Sequence, residues 1–139
     1  MEKQMRQIFL AIWKVALLTL AITLGAWSVE AQASKASMTK VHGDITKEGI
    51  YCIRLDVPQG HIIDPHVHQV DHCITILKGT LVIGYGENAD FTKADTVKAT
   101  SFVFIPAGKV HFEKFPEHTI VQIHGLGPLK TQMVHAGSK

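Results

Sequence analysis

Cysteine, tryptophan and tyrosine are scarce in this chain, two of each among 139 residues, and neither sign of charge prevails. Two cysteines are too few to staple a small scaffold, so stability has to come from a buried apolar core. The formal charge is only +2, and Lys78, Lys93, Lys98, Lys109, Lys114 and Lys130 are scattered among acids without forming a run or stripe. That spread offers no surface to a phosphate backbone and excludes nucleic acid as the expected partner. Helical spacing of apolar residues is also missing. Beyond Ile50 no stretch keeps it for more than a few residues, which argues against a helix bundle. What the length does allow is one domain with one core, and hence one site.

The N-terminal segment departs from this even composition. Lys3, Arg6 and Lys14 precede an apolar stretch from Val15 to Trp27, and small residues follow around Ala31 and Ala33. That order is the pattern of a secretory signal peptide over residues 1–33, with cleavage after Ala33 or, as the alternative, after Ala31. The apolar stretch falls short of the roughly 20 residues that span a bilayer, and Lys14 interrupts any longer one, so no stable membrane insertion is expected after cleavage. The mature protein is expected in the periplasm or outside the cell. In an oxidising compartment Cys52 and Cys73 are free to pair, or to stay as two small buried thiols, and the sequence leaves both open.

Residues 34–45 read as a flexible lead-in and 46–139 as the folded domain. There the signal is period-2 alternation in short segments divided by Gly, Pro, Asn and Asp. Tyr51, Ile53, Leu55 and Val57 share one face, with Cys52, Arg54 and Asp56 on the other, before Pro58-Gln59-Gly60 breaks the strand. Further strands are expected at Ile74–Leu77, Leu81–Tyr85, Phe102–Ile105, Val110–Phe115 and Ile120–His124, with a polar connection from Gly86 to about Ala99. Short, evenly spaced strands of this kind predict an all-β sandwich or barrel.

Nine histidines are many for this length, but spacing is what gives them meaning. His66 and His68 are one residue apart, so in an extended strand their imidazoles leave the same face, and His72 keeps that parity. His111 follows a Pro-x-Gly turn on a strand able to lie beside the first. Four imidazoles are thereby expected to converge on one metal ion. Glu113 shares the parity of His111, either as a hydrogen-bonding partner or base for the site or, the preferred reading, as an exposed strand carboxylate. Asp71 has the opposite parity and is a weaker alternative to His72. His42, His61, His118 and His135 lie in turns or near the ends and read as surface residues, while Thr75, Gln122 and His124 are the other polar residues with some claim to the interior.

Two motifs make this reading specific. Gly60-x5-His66-x-His68-x3-His72-x6-Gly79 resembles the first cupin motif, and Pro106-x-Gly108-x2-His111 resembles the second. The resemblance implies a small jelly-roll-like β-barrel in which His66, His68 and His111 ligate a metal, with His72 where the family usually has Glu. Thr100 stands where the second motif has Gly, and Phe115 where it often has Asn. It implies no particular activity, because one barrel hosts many chemistries.

Neutral imidazole donors suit Fe, Zn, Cu or Ni, and the lack of a carboxylate ligand makes Mn a poorer match. An open metal position would bind a small organic anion or dioxygen, making the protein a metal-dependent oxygenase or another small-molecule enzyme. The alternative is a metal or small-ligand binder without turnover, since four histidines also suffice to close a tetrahedral site. Phe102, Phe104 and Phe112 are expected in the core; their other reading is a homodimer contact.

Overall fold

A computed structural model describes residues 35–134, so the expected signal peptide and His135 lie outside the described residues. Ten strands follow one another there: β1 (Ser37–His42), β2 (Gly49–Val57), β3 (Ile62–His68), β4 (His72–Lys78), β5 (Thr80–Tyr85), β6 (Asp95–Lys98), β7 (Phe102–Ile105), β8 (His111–Lys114), β9 (Thr119–Gly127) and β10 (Thr131–Met133). One 3-10 turn, Phe91–Lys93, precedes β6. The strands form two five-stranded antiparallel sheets, β1-β2-β9-β4-β7 and β10-β3-β8-β5-β6. The all-β expectation holds, and the two sheets match the jelly-roll barrel.

Alternation explains why the sheets stack. Along β2 the inward residues Tyr51, Ile53 and Val57 are buried, and along β4 so are His72, Ile74 and Ile76. Ile76, Leu81, Ile83, Ile105, Phe115 and Val121 meet between the sheets as the apolar core, each burial worth about 1.5–3 kcal/mol. The core fills one part of the interior and leaves a chamber beside it.

Several expectations need correcting. The supposed lead-in contains β1, which pairs with β2 from Ser37↔Asp56 onward, because the exposed strand β2 offers it a full row of backbone partners. Its own side chains are exposed, so no apolar alternation marked it. The polar connection after Gly86 likewise contains β6, paired with β5. Phe102 and Phe104 are more than half exposed on the outer face of edge strand β7, and only Phe112 of that trio is buried, against Phe91 at 4.8 Å between ring centroids. Cys52 and Cys73 are both free thiols. Each stands opposite His124, one on either side of β9. Two strand spacings, roughly 10 Å, separate them, beyond the reach of a disulfide.

Thr100 has φ +72°, a left-handed conformation that β-branched residues rarely adopt. The turn that joins β6 to β7 requires it: the Thr100 amide donates to the Ile76 carbonyl at 2.9 Å, and the Ile76 amide to the Ser101 carbonyl at 2.9 Å. A glycine would take this conformation without strain.

Candidate metal centre

His66 and His68 stand on β3, and His111 stands directly across from His66 on the neighbouring strand β8. Their facing is not simple alternation. Ile63 lies opposite Glu113 and His66 opposite His111, so β3 spends one more residue than β8 between these pairs. The extra residue makes a bulge at Asp64-Pro65, a position where proline is tolerated because no ladder donor is needed. The bulge turns Ile63 and His66 toward the same interior despite their odd spacing. It also places the Asp64 carbonyl to accept from His66 Nδ1 at 2.8 Å.

His72 arrives by a different route from the one its parity suggests. The chain bends at Gln69-Val70, and His72 begins β4 in the opposite sheet, facing back across the interior. It sits in one row with Gly125 and Tyr51. Gly125 is required there: a Cβ would lie 2.7 Å from the Asp71 carbonyl oxygen, 3.0 Å from Tyr51 Oη and 3.2 Å from His72 Cβ. Asp71 is exposed and does not line the chamber; its Oδ1 accepts the Ala107 amide at 2.7 Å and ties the bend to the Pro106-x-Gly108 turn.

The four rings converge from the two sheets. Centroids are 4.2 Å apart for His66–His111, 5.0 Å for His66–His68, 4.7 Å for His68–His72 and 5.8 Å for His72–His111. Ligand nitrogens of His66, His68 and His111 all lie within 4.8 Å of one another, a group able to hold a metal ion. Each imidazole turns its Nδ1 to a backbone carbonyl, which only accepts, so that nitrogen carries the hydrogen. His66 donates to Asp64, His68 to Lys130 at 3.0 Å, His111 to Lys109 at 2.9 Å, and His72 makes a longer 3.5 Å contact with Val70. Every Nε2 is then left as a lone pair, and that of His111 is buried with no partner. This is the arrangement in which a protein fixes tautomer and ring orientation for metal ligation.

Burial holds the rings in the neutral form that a metal requires. It pushes His111 down to about 3 and His72 to about 4, and lowers His66 and His68, against smaller opposing effects of their carbonyl hydrogen bonds. Glu113, expected at the surface, is only 5% exposed and faces the same interior, where burial raises its carboxyl to about 7. Parity places Glu113 on the face of His111, but whether that face meets water or the interior depends on strands distant in sequence.

A chamber of about 270 Å³ opens beside the histidines. Its walls combine the four imidazoles, Glu113 and Thr131 with apolar side chains such as Ile53, Ile63, Ile74 and Ile123. Thr75, Gln122 and His124 do not line it: their side chains leave the outer face of β4 and β9, where Gln122 accepts from Arg54 at 3.0 Å. Sequence reasoning missed Thr131 and the carbonyl of Lys130, which reach His68 from β10 and the loop before it. Neither carries a motif, and only pairing of β10 with β3 brings them there.

A two-sheet antiparallel barrel with a histidine cluster at the mouth of its interior defines a cupin, and comparison with known proteins agrees. The chain belongs to the family described as Domain of unknown function (DUF4437), which matches residues 25–124, within the cupin superfamily. A germin-like protein of Arabidopsis thaliana, subfamily 2 member 4, is 28% identical over 88 residues. That match covers 63% of this chain and 40% of the plant protein, so the chain spans about two fifths of the curated relative's length. Among solved structures, a cupin superfamily protein from Desulfitobacterium hafniense superposes with TM-score 0.58 at 14% identity, covering 71% of this chain and 84% of the other. A DMSP lyase from Ruegeria pomeroyi gives TM-score 0.61 at 14% identity, covering 76% and 54% respectively. At such identities the likeness establishes the fold alone.

Proposed function

We propose that this protein is an exported metal-dependent cupin in which His66, His68, His72 and His111 hold one divalent transition ion, Fe, Zn, Cu or Ni, and the adjoining chamber takes a small organic molecule. The observation that carries the reading is the shared arrangement of the imidazoles: Nδ1 engaged by backbone carbonyls, the Nε2 of His111 buried without a partner, and ligand nitrogens of His66, His68 and His111 within 4.8 Å of one another. A merely structural histidine cluster has no need to leave a buried Nε2 unpartnered, since such a nitrogen costs stability without a ligand. When bound, the ion supplies Lewis-acid or redox chemistry of the kind an oxygenase uses. The chain's own part is to keep four donors neutral, exclude bulk water with apolar walls and hold a ligand beside them.

A reading as a binder without turnover is favoured by one feature. Glu113 is the single carboxylic acid on the chamber wall, and no lysine or arginine among the described residues joins it there. The outer face, where Ile50, Phe102, Phe104 and Leu126 are exposed, supports pairing with a second copy.

Elemental analysis of the untagged mature chain, residues 34–139, beside a His66→Ala, His111→Ala variant tests the metal centre. About one equivalent of transition metal, lost in the variant, is expected. No metal in either after reconstitution would sink the proposal. Metal-dependent oxygen uptake or loss of substrate then separates an enzyme from a binder, which shows saturable binding alone.

A further inference from the structure

On the same face of β8 as His111, the chamber wall carries a feature the metal centre leaves unexplained. Glu113 is buried, and its Oε1 has no hydrogen-bond partner. It faces the interior between Ile63 and Ile83, its cross-strand neighbours on β3 and β5. A buried carboxyl oxygen without a partner costs about 1–3 kcal/mol, and no side chain of the described protein relieves it. Apart from the histidines and Thr131 the wall is apolar, and no lysine or arginine lines it to pair with an acid at Glu113. A carboxylate or phosphate placed against Glu113 would bury like charge beside a carboxyl group. A hydroxyl or amide group instead completes the missing hydrogen bond. The volume, about 270 Å³, corresponds to roughly nine waters of liquid, which sets a ligand of about that many non-hydrogen atoms.

Resting on the reading of this chamber as a ligand site, we propose that Glu113 is the residue that fixes ligand specificity. It anchors the neutral hydroxyl or amide end of a compact molecule whose body packs on the isoleucines. Glu113 thereby selects polar-ended molecules over wholly apolar ones of the same size.

Benzamide and toluene are suitable probes, since they share a ring and differ in the polar group. Calorimetric titration of the protein as purified is expected to show benzamide binding at least tenfold tighter than toluene. Glu113→Leu should reverse that order, while Glu113→Gln, which keeps a hydrogen-bonding group of equal size, restores the preference for benzamide. Unchanged benzamide affinity in Glu113→Leu, with the Gln variant confirming a folded chamber, overturns the assignment. Failure of both probes to bind the wild type overturns it as well. Metal content measured on the same samples keeps the two readings apart. Intact discrimination without metal sinks only the metal centre, and bound metal without discrimination sinks only the role of Glu113.

Discussion

Two settings of histidine among the described residues differ in what the ring nitrogens meet. His66, His68, His72 and His111 are buried between the sheets and direct Nδ1 to backbone carbonyls. His118, on the turn before β9, instead lies between side chains: its Nε2 donates to Asp56 at 2.8 Å, and Lys78 Nζ donates to its Nδ1 at 3.2 Å, all in solvent. A backbone carbonyl is held by the fold and cannot ionise, so it fixes an imidazole as a neutral donor. A flexible carboxylate on the surface gives a pairing that water and salt largely screen. The same residue type is a prospective ligand in one place and a solvated contact in the other.

The largest effect expected from breaking this contrast is on metal binding. His66→Ala with His111→Ala should abolish stoichiometric metal, read by elemental analysis, while His118→Ala retains the full equivalent. Metal retained in the inner double variant would dissolve the distinction. Next comes Gly125→Ala. Its Cβ would press on the Asp71 carbonyl, Tyr51 and His72 together, so a loss of about 1–3 kcal/mol in urea unfolding is expected, accompanied by weaker metal binding. A stability loss with unchanged metal affinity would show that His72 is not a ligand.

The pH response of the metal-free protein sharpens the same contrast. Because burial depresses His72 and His111 below the ordinary histidine value of 6.5, the unfolded chain takes up these protons first. Their stabilising contribution is whole above pH 6.5 and falls, by about 1 kcal/mol per pH unit and group, as pH drops toward 4. Glu113 acts in the opposite sense. Its raised pKa contributes stability that is whole below 4.5 and is lost as pH rises through about 7. Urea midpoints should therefore fall between pH 7 and pH 5, and more steeply in Glu113→Gln, where the opposing group is gone. A slope unaffected by that substitution would remove Glu113 from the buried set.

Two smaller effects complete the series. Thr100→Gly relieves a left-handed β-branched residue and should raise stability by about 1 kcal/mol, provided that the two backbone hydrogen bonds of the turn persist. His118→Ala should cost under about 1 kcal/mol, and less still at high salt. A cost of several kcal/mol there would mean that the outer pairing is structural after all.

Sequence alone determined the strand-rich architecture and the identity of the converging imidazoles, because alternation and the two histidine motifs are local patterns written in consecutive residues. Tyr51 to Val57 alternates visibly, and the Pro106-x-Gly108 turn marks the approach of His111. It did not reveal β1 or β6, whose exposed side chains alternate with nothing and whose existence depends on a neighbour's free backbone. Nor did it place His72, which shares parity with His66 yet comes from the other sheet after a bend, or the Asp64-Pro65 bulge that turns His66 inward. Glu113 shows the limit most plainly. Parity put it on the face of His111, but whether that face meets water or a closed chamber depends on strands distant in sequence. Only their assembly buried the carboxyl, left its oxygen unpartnered, and brought the carbonyl of Lys130 to His68.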